Sequence, residues 1–247
     1  MKRVVIAGVS GAIGGALATR LIERDPQLRV IGLCRDPGRA SQALQASDRC
    51  DVLAWEAGDS ESPTAVAEAL ELTLARDEGI DTFIYAAGVL HGPDMFPEKR
   101  LEDLDTDHMA RAFAVNATGF ALLVRALLPW LRHRRFKQIV AISAKVGSIT
   151  DNGFGGWYAY RSSKAALNML VRNLSIELPR RCKPVACVSI HPGTTESALS
   201  EPFQQSLARL KVHTADETAA NLLDVLDALS EGDNGRFLSW DGSELPW

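Results

Sequence analysis

The chain holds four cysteines in 247 residues, Cys34, Cys50, Cys182 and Cys187, and no two of them make a CxxC pair. Only five histidines accompany them, so the ligand spacing of a zinc site is absent and no metal is expected. A chain of this length buries enough apolar surface to fold without disulfide staples. Reduced thiols and a cytoplasmic location are expected. Charge of one sign is also scarce: 27 Lys and Arg against 31 Asp and Glu leave −4. That argues against a nucleic-acid partner held on a strongly basic surface. No apolar run is long enough to be a convincing membrane span. Aromatic residues are few, at 6 %, but hydrophobic residues reach 46 % and charged residues 23 %. Those proportions belong to a globular domain and not to a disordered chain.

One feature imitates a targeting signal. Lys2-Arg3 precede a small apolar run from Val4 to Ala18 that closes on Ala16-Leu17-Ala18, the outline of a secretory signal peptide. Gly8, Gly11, Gly14 and Gly15 interrupt it, and a helical apolar segment tolerates four glycines poorly.

Short apolar runs alternate with helical stretches along the whole chain. The pattern predicts strands at 2–7, 29–34, 52–56, 82–86, 137–142, 185–190 and 235–239. It predicts helices near 12–24, 63–73, 101–111, 112–132, 157–178 and 214–229. No repeat, low-complexity tract or linker divides residues 1–247. This is the pattern of an α/β fold: one domain with a doubly wound sheet of about seven parallel strands and helices on both faces. Ligands of such sheets bind outside the carboxyl ends of the strands.

Three constellations lie at those ends. Gly8-Val9-Ser10-Gly11-Ala12-Ile13-Gly14 joins the first strand to the first helix. Such a turn lets backbone approach a pyrophosphate and offers it the free N–H groups of a helix start. After the second strand comes Cys34-Arg35-Asp36. Enzymes that prefer NAD place an acid there for the ribose hydroxyls. Arg35 instead suits a 2′-phosphate, while Asp36 keeps NAD(H) open. The third is Tyr160-Arg161-Ser162-Ser163-Lys164. Four residues leave Tyr160 only about 40° off the lysine's helical face, whereas Tyr158 falls about 120° away. A nearby ammonium favours phenolate and should draw the Tyr160 pKa down towards neutrality, fitting it to pass a proton. Upstream, Ser143 ends the fifth strand and Asn116 sits in a helix.

Taken together these residues resemble the short-chain dehydrogenase/reductase family over nearly the whole chain. Gly8–Gly14 resembles its glycine turn, and Tyr85-Ala86-Ala87-Gly88 resembles its NNAG motif with both asparagines lost. Asp59 resembles the acid after strand three that meets adenine, and His191-Pro192-Gly193-Thr194 resembles its PG motif. Gly155 to Asn168, His191 to Thr195 and the segment Asp241 to Trp247 look like the C-factor and sniffer-type carbonyl reductases. The resemblance implies reversible hydride transfer between NADP(H) and a small-molecule carbonyl or alcohol. It implies Asn116, Ser143, Tyr160 and Lys164 as catalytic residues. Lys164 would hold the nicotinamide ribose, and Asn116 would keep a water that resupplies the proton. The cofactor would meet Gly8, Ser10, Gly11, Ala12, Ile13, Gly14, Arg35, Asp59, Ala87, Gly88, Asn116, Tyr160, Lys164, Pro192, Gly193, Thr194 and Thr195.

The sequence departs from the family at one catalytic position. The usual SSxxG reads Ser143-Ala144-Lys145-Val146-Gly147, and the catalytic serine falls on Ala144. Either Ser143 or Ser148 must replace it, or its role is reduced. The alternative function is a dinucleotide-binding signalling protein of C-factor type that catalyses weakly or not at all. The segment Ser197–Val212, with Ser200, Pro202 and Phe203, is expected to form a substrate lid. Leu122, Leu123, Leu127, Leu170 and Leu174 on the helices 112–132 and 157–178 suggest pairing into a homodimer or homotetramer.

Overall fold

Seven strands pair in parallel in a computed structural model that describes residues 2–74, 78–203 and 211–247. They are β1 (Arg3–Ala7), β2 (Arg29–Cys34), β3 (Cys50–Ala54), β4 (Thr82–Tyr85), β5 (Lys137–Ile142), β6 (Val185–His191) and, last in the chain, β9 (Phe237–Ser239). Their order across the sheet is β3-β2-β1-β4-β5-β6-β9. The chain leaves β1 in one direction and resumes on its other side at β4, which opens a cleft at the carboxyl edge between them. Two further short strands, β7 (Thr194–Thr195) and β8 (Val212–His213), pair with each other beyond that edge.

Alternation along the strands divides the core between two faces. Val5 and Ala7 of β1 join a cluster with Phe83, Phe120, Leu127 and Trp130. Val4 and Ile6 join the opposite cluster with Leu17, Val188 and Leu222. The first face is covered by α3 (Ser62–Thr73), α5 (Gly119–Leu131) and α6 (Tyr158–Glu177). The second is covered by α1 (Ala12–Arg24) and a late helix, α8 (Ala215–Ala228). α2 (Gln42–Gln45) and α7 (Pro179–Cys182) are one-turn helices. All four cysteines are buried free thiols.

The sequence reading differs from the structure mainly before α5. Residues 101–111 were expected as one helix. Instead Leu101–Asp103 is a 3-10 turn and α4 spans Thr106–Phe113. Asp105 causes the break, because its Oδ1 accepts from the N–H groups of Asp107 and His108 at 3.0 and 2.9 Å, a helix N-cap. Between α4 and α5 the backbone widens into a π-turn at Ala114–Thr118. The continuous run Thr106–Leu131 is long and apolar enough to cross a membrane by length and composition. Phe120, Leu123, Leu127 and Trp130 are fully buried against the sheet, which makes it a core helix. The same packing takes four of the five leucines invoked for oligomerisation, all but half-buried Leu122. Leu123 and Leu127 lie in the core and Leu170 and Leu174 pack against it, so the exposed apolar side chains on α6 are Met169 and Ile176, with Tyr158 at its start.

Gly14 measures how closely α1 approaches the sheet. A Cβ there would stand 2.3 Å from the Gly8 carbonyl oxygen. In an open helix Gly→Ala stabilises by up to about 1 kcal/mol. Here the obstacle is backbone, so strain wins, and Gly14→Ala should destabilise by about 1–3 kcal/mol. Urea denaturation checks the sign.

Candidate active site

The cleft begins at the glycine turn. Gly8 has φ +88°, and a Cβ would lie 2.8 Å from the backbone nitrogen of Ala87, so only glycine lets β1 and the chain after β4 converge here. No side chain caps α1. Its first-turn N–H groups, with exposed Ser10, Gly11 and Ala12 beside them, are open to an anion. Arg35 is exposed at the end of β2. Asp36 is engaged elsewhere: its Oδ1 accepts from Gly38 N–H at 3.0 Å and caps the turn Pro37–Arg39.

Asp59 is likewise occupied in a local turn, accepting from Glu61 N–H at 2.9 Å ahead of α3. The first acid after β3 is Glu56. It follows Trp55, whose N–H still bonds the Cys34 carbonyl at 2.9 Å. The apolar pattern predicts strand over 52–56, whereas β3 spans Cys50–Ala54. With the strand ending at Ala54, Glu56 and Asp59 both lie in the loop that follows it, and both are exposed.

Deeper in the cleft, Asn116 lies in the π-turn with no exposure. Tyr85 supports that turn, donating its hydroxyl to the Val115 carbonyl at 2.5 Å, and Gly119 leaves room for it. Asn116 Oδ1 accepts from Val89 N–H at 2.7 Å, and its Nδ2 donates to the Val89 carbonyl and to Ser163 Oγ, both at 2.9 Å. Lys164 Nζ donates to the Ile142 carbonyl at 2.9 Å. Gly88 lies between the two: a Cβ there would be 3.5 Å from Asn116 Oδ1 and 3.7 Å from Lys164 Nζ. Tyr160 is 9 % exposed, with Lys164 Nζ 5.8 Å from its ring centre. Its hydroxyl has no hydrogen-bond partner among the described residues. Tyr158 is 36 % exposed at the first position of α6. The uncapped helix start, the glycine floor and the buried ammonium together fit a dinucleotide.

Neither candidate serine is brought to Tyr160. Ser143 Oγ donates to Asn168 Oδ1 at 2.7 Å beneath α6. Ser148 Oγ donates to the Trp247 carbonyl at 3.2 Å and accepts from Asp151 N–H at 3.0 Å. Ala144 is the residue that packs on Tyr160, together with Leu90, Val146, Trp157 and Leu199. Successive residues of an extended chain face opposite ways, so Ser143 and Ala144 cannot share a side. Thr195 is turned from the cleft as well, its Oγ1 2.9 Å from Thr218 Oγ1 of α8 in a buried contact. Pro192, Gly193 and Thr194 remain at the carboxyl edge after β6, and Gly193 at φ +80° leaves space for His213 and Trp240 behind it. Of the expected lid, Ser200 Oγ donates to the Thr195 carbonyl at 2.6 Å. Residues 204–210 lie outside the described residues.

The sequence profile described as short chain dehydrogenase matches residues 2–208. The chain is 37 % identical over 147 residues to C-signal of Myxococcus xanthus, spanning 60 % of this chain and 83 % of that protein. Among solved structures it is similar to an NADPH-bound carbonyl reductase from chicken fatty liver, with 28 % identity, a TM-score of 0.86, and 100 % and 99 % of the two chains covered. It has the fold of the carbonyl reductase Sniffer of D. melanogaster, at 22 % identity, a TM-score of 0.86 and full coverage of both chains.

Burial sets the electrostatics of the pair. It pushes Tyr160 up to about 12 and Lys164 down to about 8, because a charge is disfavoured away from water. The direction is opposite to the expectation for Tyr160, and its cause is desolvation. An unfolded lysine titrates near 10.5. Between about pH 8 and 10.5 the unfolded chain binds this proton and the folded one does not, so stability rises with pH in that window. Below it the full cost of about 3 kcal/mol is present. Relative to Lys164→Met, the wild type should therefore gain about 3 kcal/mol between pH 7 and pH 10.5, measured by urea denaturation across that range.

Proposed function

Because the chain belongs to the short-chain dehydrogenase family of oxidoreductases, we propose that it interconverts a carbonyl and an alcohol using NADP(H), with Tyr160 as the proton donor and acceptor. The observation that carries this reading is the Tyr160 hydroxyl, unpartnered among the described residues beside a buried Lys164. When bound, the nicotinamide supplies or accepts the hydride at the substrate carbon. In reduction, Tyr160 gives its proton to the carbonyl oxygen. A phenol held near 12 is fully protonated at neutral pH, which suits the donor role. Lys164 would hold the nicotinamide ribose hydroxyls, and its ammonium would steady the phenolate left behind. Both hydrogens of Asn116 Nδ2 are already engaged, so a water at this residue would donate to Oδ1 and receive nothing from the amide.

Of the three readings of the missing serine, the reduced role is favoured by Ala144 in the wall and by the bonds of Ser143 and Ser148 to other groups, so Tyr160 donates to the developing alkoxide without a serine. Each such donor is worth about 10²–10³ in turnover. The apolar wall of Leu90, Val146, Trp157 and Leu199 suits an uncharged substrate. The likeness to C-signal keeps a signalling role as the second reading. NADPH oxidation against a panel of carbonyls separates the two, since a pure sensor consumes none. Two-fold pairing through α6 would have to use Met169 and Ile176.

Cofactor choice rests on Arg35 and on the engagement of Asp36. Arg35→Ala should raise the Kd for NADPH about tenfold to a hundredfold, as a charge-assisted hydrogen bond contributes about 1.5–3 kcal/mol. NADH binding should change little. Equal affinity of the wild type for both cofactors would sink the assignment.

The proton donor is tested by a pair of variants. Tyr160→Phe should leave folding and NADPH binding nearly intact and cut turnover at least about a hundredfold. Tyr158→Phe, at the exposed helix start, should have a small effect. The opposite ranking in steady-state kinetics would overturn the mechanism.

A further inference from the structure

The turn that leads into α6 has no cap of its own. Gly155 and Gly156 carry φ of +65° and +63°, and Trp157 follows at +50°, a left-handed conformation that a bulky side chain adopts at a cost. Trp157 occupies the N-cap position, where its indole, a donor only, cannot accept from the helix start. Its ring stands edge-on to Tyr160 with centroids 6.2 Å apart. The first-turn N–H groups of the helix that carries Tyr160 and Lys164 therefore need an acceptor from elsewhere.

Glu98 provides it. This glutamate lies 61 positions upstream of Ala159 and is only 3 % exposed. Its backbone carbonyl accepts from Trp157 N–H at 2.5 Å. Its carboxylate Oε2 accepts from Ala159 N–H at 3.2 Å. The two acceptors of one residue thus bracket Tyr158 and hold the backbone immediately before Tyr160. Gly156 belongs to the same contact, because a Cβ there would lie 3.3 Å from the Glu98 carbonyl oxygen. Met95 and Ala112 pack against Ala159 from behind, tying the clamp to α4. No Lys or Arg forms an ion pair with Glu98 among the described residues. A buried carboxylate without a cation is costly, and the positive end of α6 is what offsets that cost here.

We propose that Glu98 is a positioning residue for Tyr160: its paired acceptors fix the start of α6 and thereby the place of the phenol relative to Lys164 and the cleft. The proposal rests on the reading of Tyr160 as proton donor. Reacting groups must be held within a fraction of an ångström, and a displacement of about 1 Å costs up to about a hundredfold in rate. The turn before Tyr160 contains two glycines and a strained tryptophan, so an external clamp is needed to hold it in one conformation.

Three substitutions in the full chain separate a clamp from a charge. Glu98→Gln keeps the acceptor and the reach. Glu98→Asp keeps the charge and withdraws the acceptor by one methylene. Glu98→Ala removes both. The measurements are kcat and KM for carbonyl reduction, the Kd for NADPH by fluorescence, and the titration of Tyr160 in cofactor-free protein. That titration is read by tyrosine absorbance as the difference from the same variant carrying Tyr160→Phe. Glu98→Ala and Glu98→Asp should lower kcat about tenfold to a hundredfold with NADPH affinity unchanged, and Glu98→Gln should restore most of it. The Tyr160 titration should fall from about 12 towards the ordinary phenol range in the Ala and Asp variants and hold in the Gln variant. If Glu98→Ala does not fold, the order of Gln and Asp decides. A normal Asp variant with an impaired Gln variant overturns the proposal, as does a Glu98→Ala protein that matches wild type in kcat and titration. A joint decline of kcat and NADPH affinity overturns it too, because that marks general loosening. If the wild type turns over no carbonyl, the proposed function fails and the titration alone decides the clamp.

Discussion

The packing of α6 onto the carboxyl end of β5 is the contact on which the site depends. It is possible because Gly147 has no side chain: a Cβ there would stand 2.7 Å from Lys164 Cβ and 3.0 Å from the Lys164 backbone. With the helix that close, Lys164 Nζ reaches the Ile142 carbonyl at 2.9 Å. The same seat buries Tyr160 and locks Ser163 against Asn116 at 2.9 Å. Three elements distant in sequence are joined through one helix face.

The price of that arrangement is a buried amine beside a buried phenol. Tyr160 pushed up to about 12 and Lys164 pushed down to about 8 are both consequences of desolvation, and each opposes the charged form. A site tuned this way holds a proton ready in the phenol at neutral pH. It also loses stability on account of the ammonium, the usual trade between a functional charge and the core around it.

Around the pair, the chain compensates for residues that its family pattern would have supplied. Where both asparagines of the motif after strand four are lost, Tyr85 fills the space above Gly119 and donates to the Val115 carbonyl within the π-turn. Such turns leave carbonyls that no α-helical N–H can meet. Where the expected serine is lost, Ala144 adds a methyl to an apolar wall with Leu90, Val146 and Trp157. Where α6 lacks a local cap, Glu98 reaches in from the segment before α4.

The sequence by itself determined the alternation of strands and helices, the parallel sheet, the glycine turn and the common helical face of Tyr160 and Lys164. These follow from apolar periodicity, turn chemistry and the 3.6-residue repeat, all local properties of the chain. Only the tertiary structure decided which hydroxyls and carboxylates were free. Ser143, Ser148 and Thr195 each carried a hydroxyl at a plausible position, and each is bonded to a distant part of the chain, while Asp36 and Asp59 accept from backbone N–H groups two residues on. A polar side chain that is buried or beside a turn takes the nearest unmet partner. For the three hydroxyls that partner is set by long-range packing, which no local pattern in the chain records.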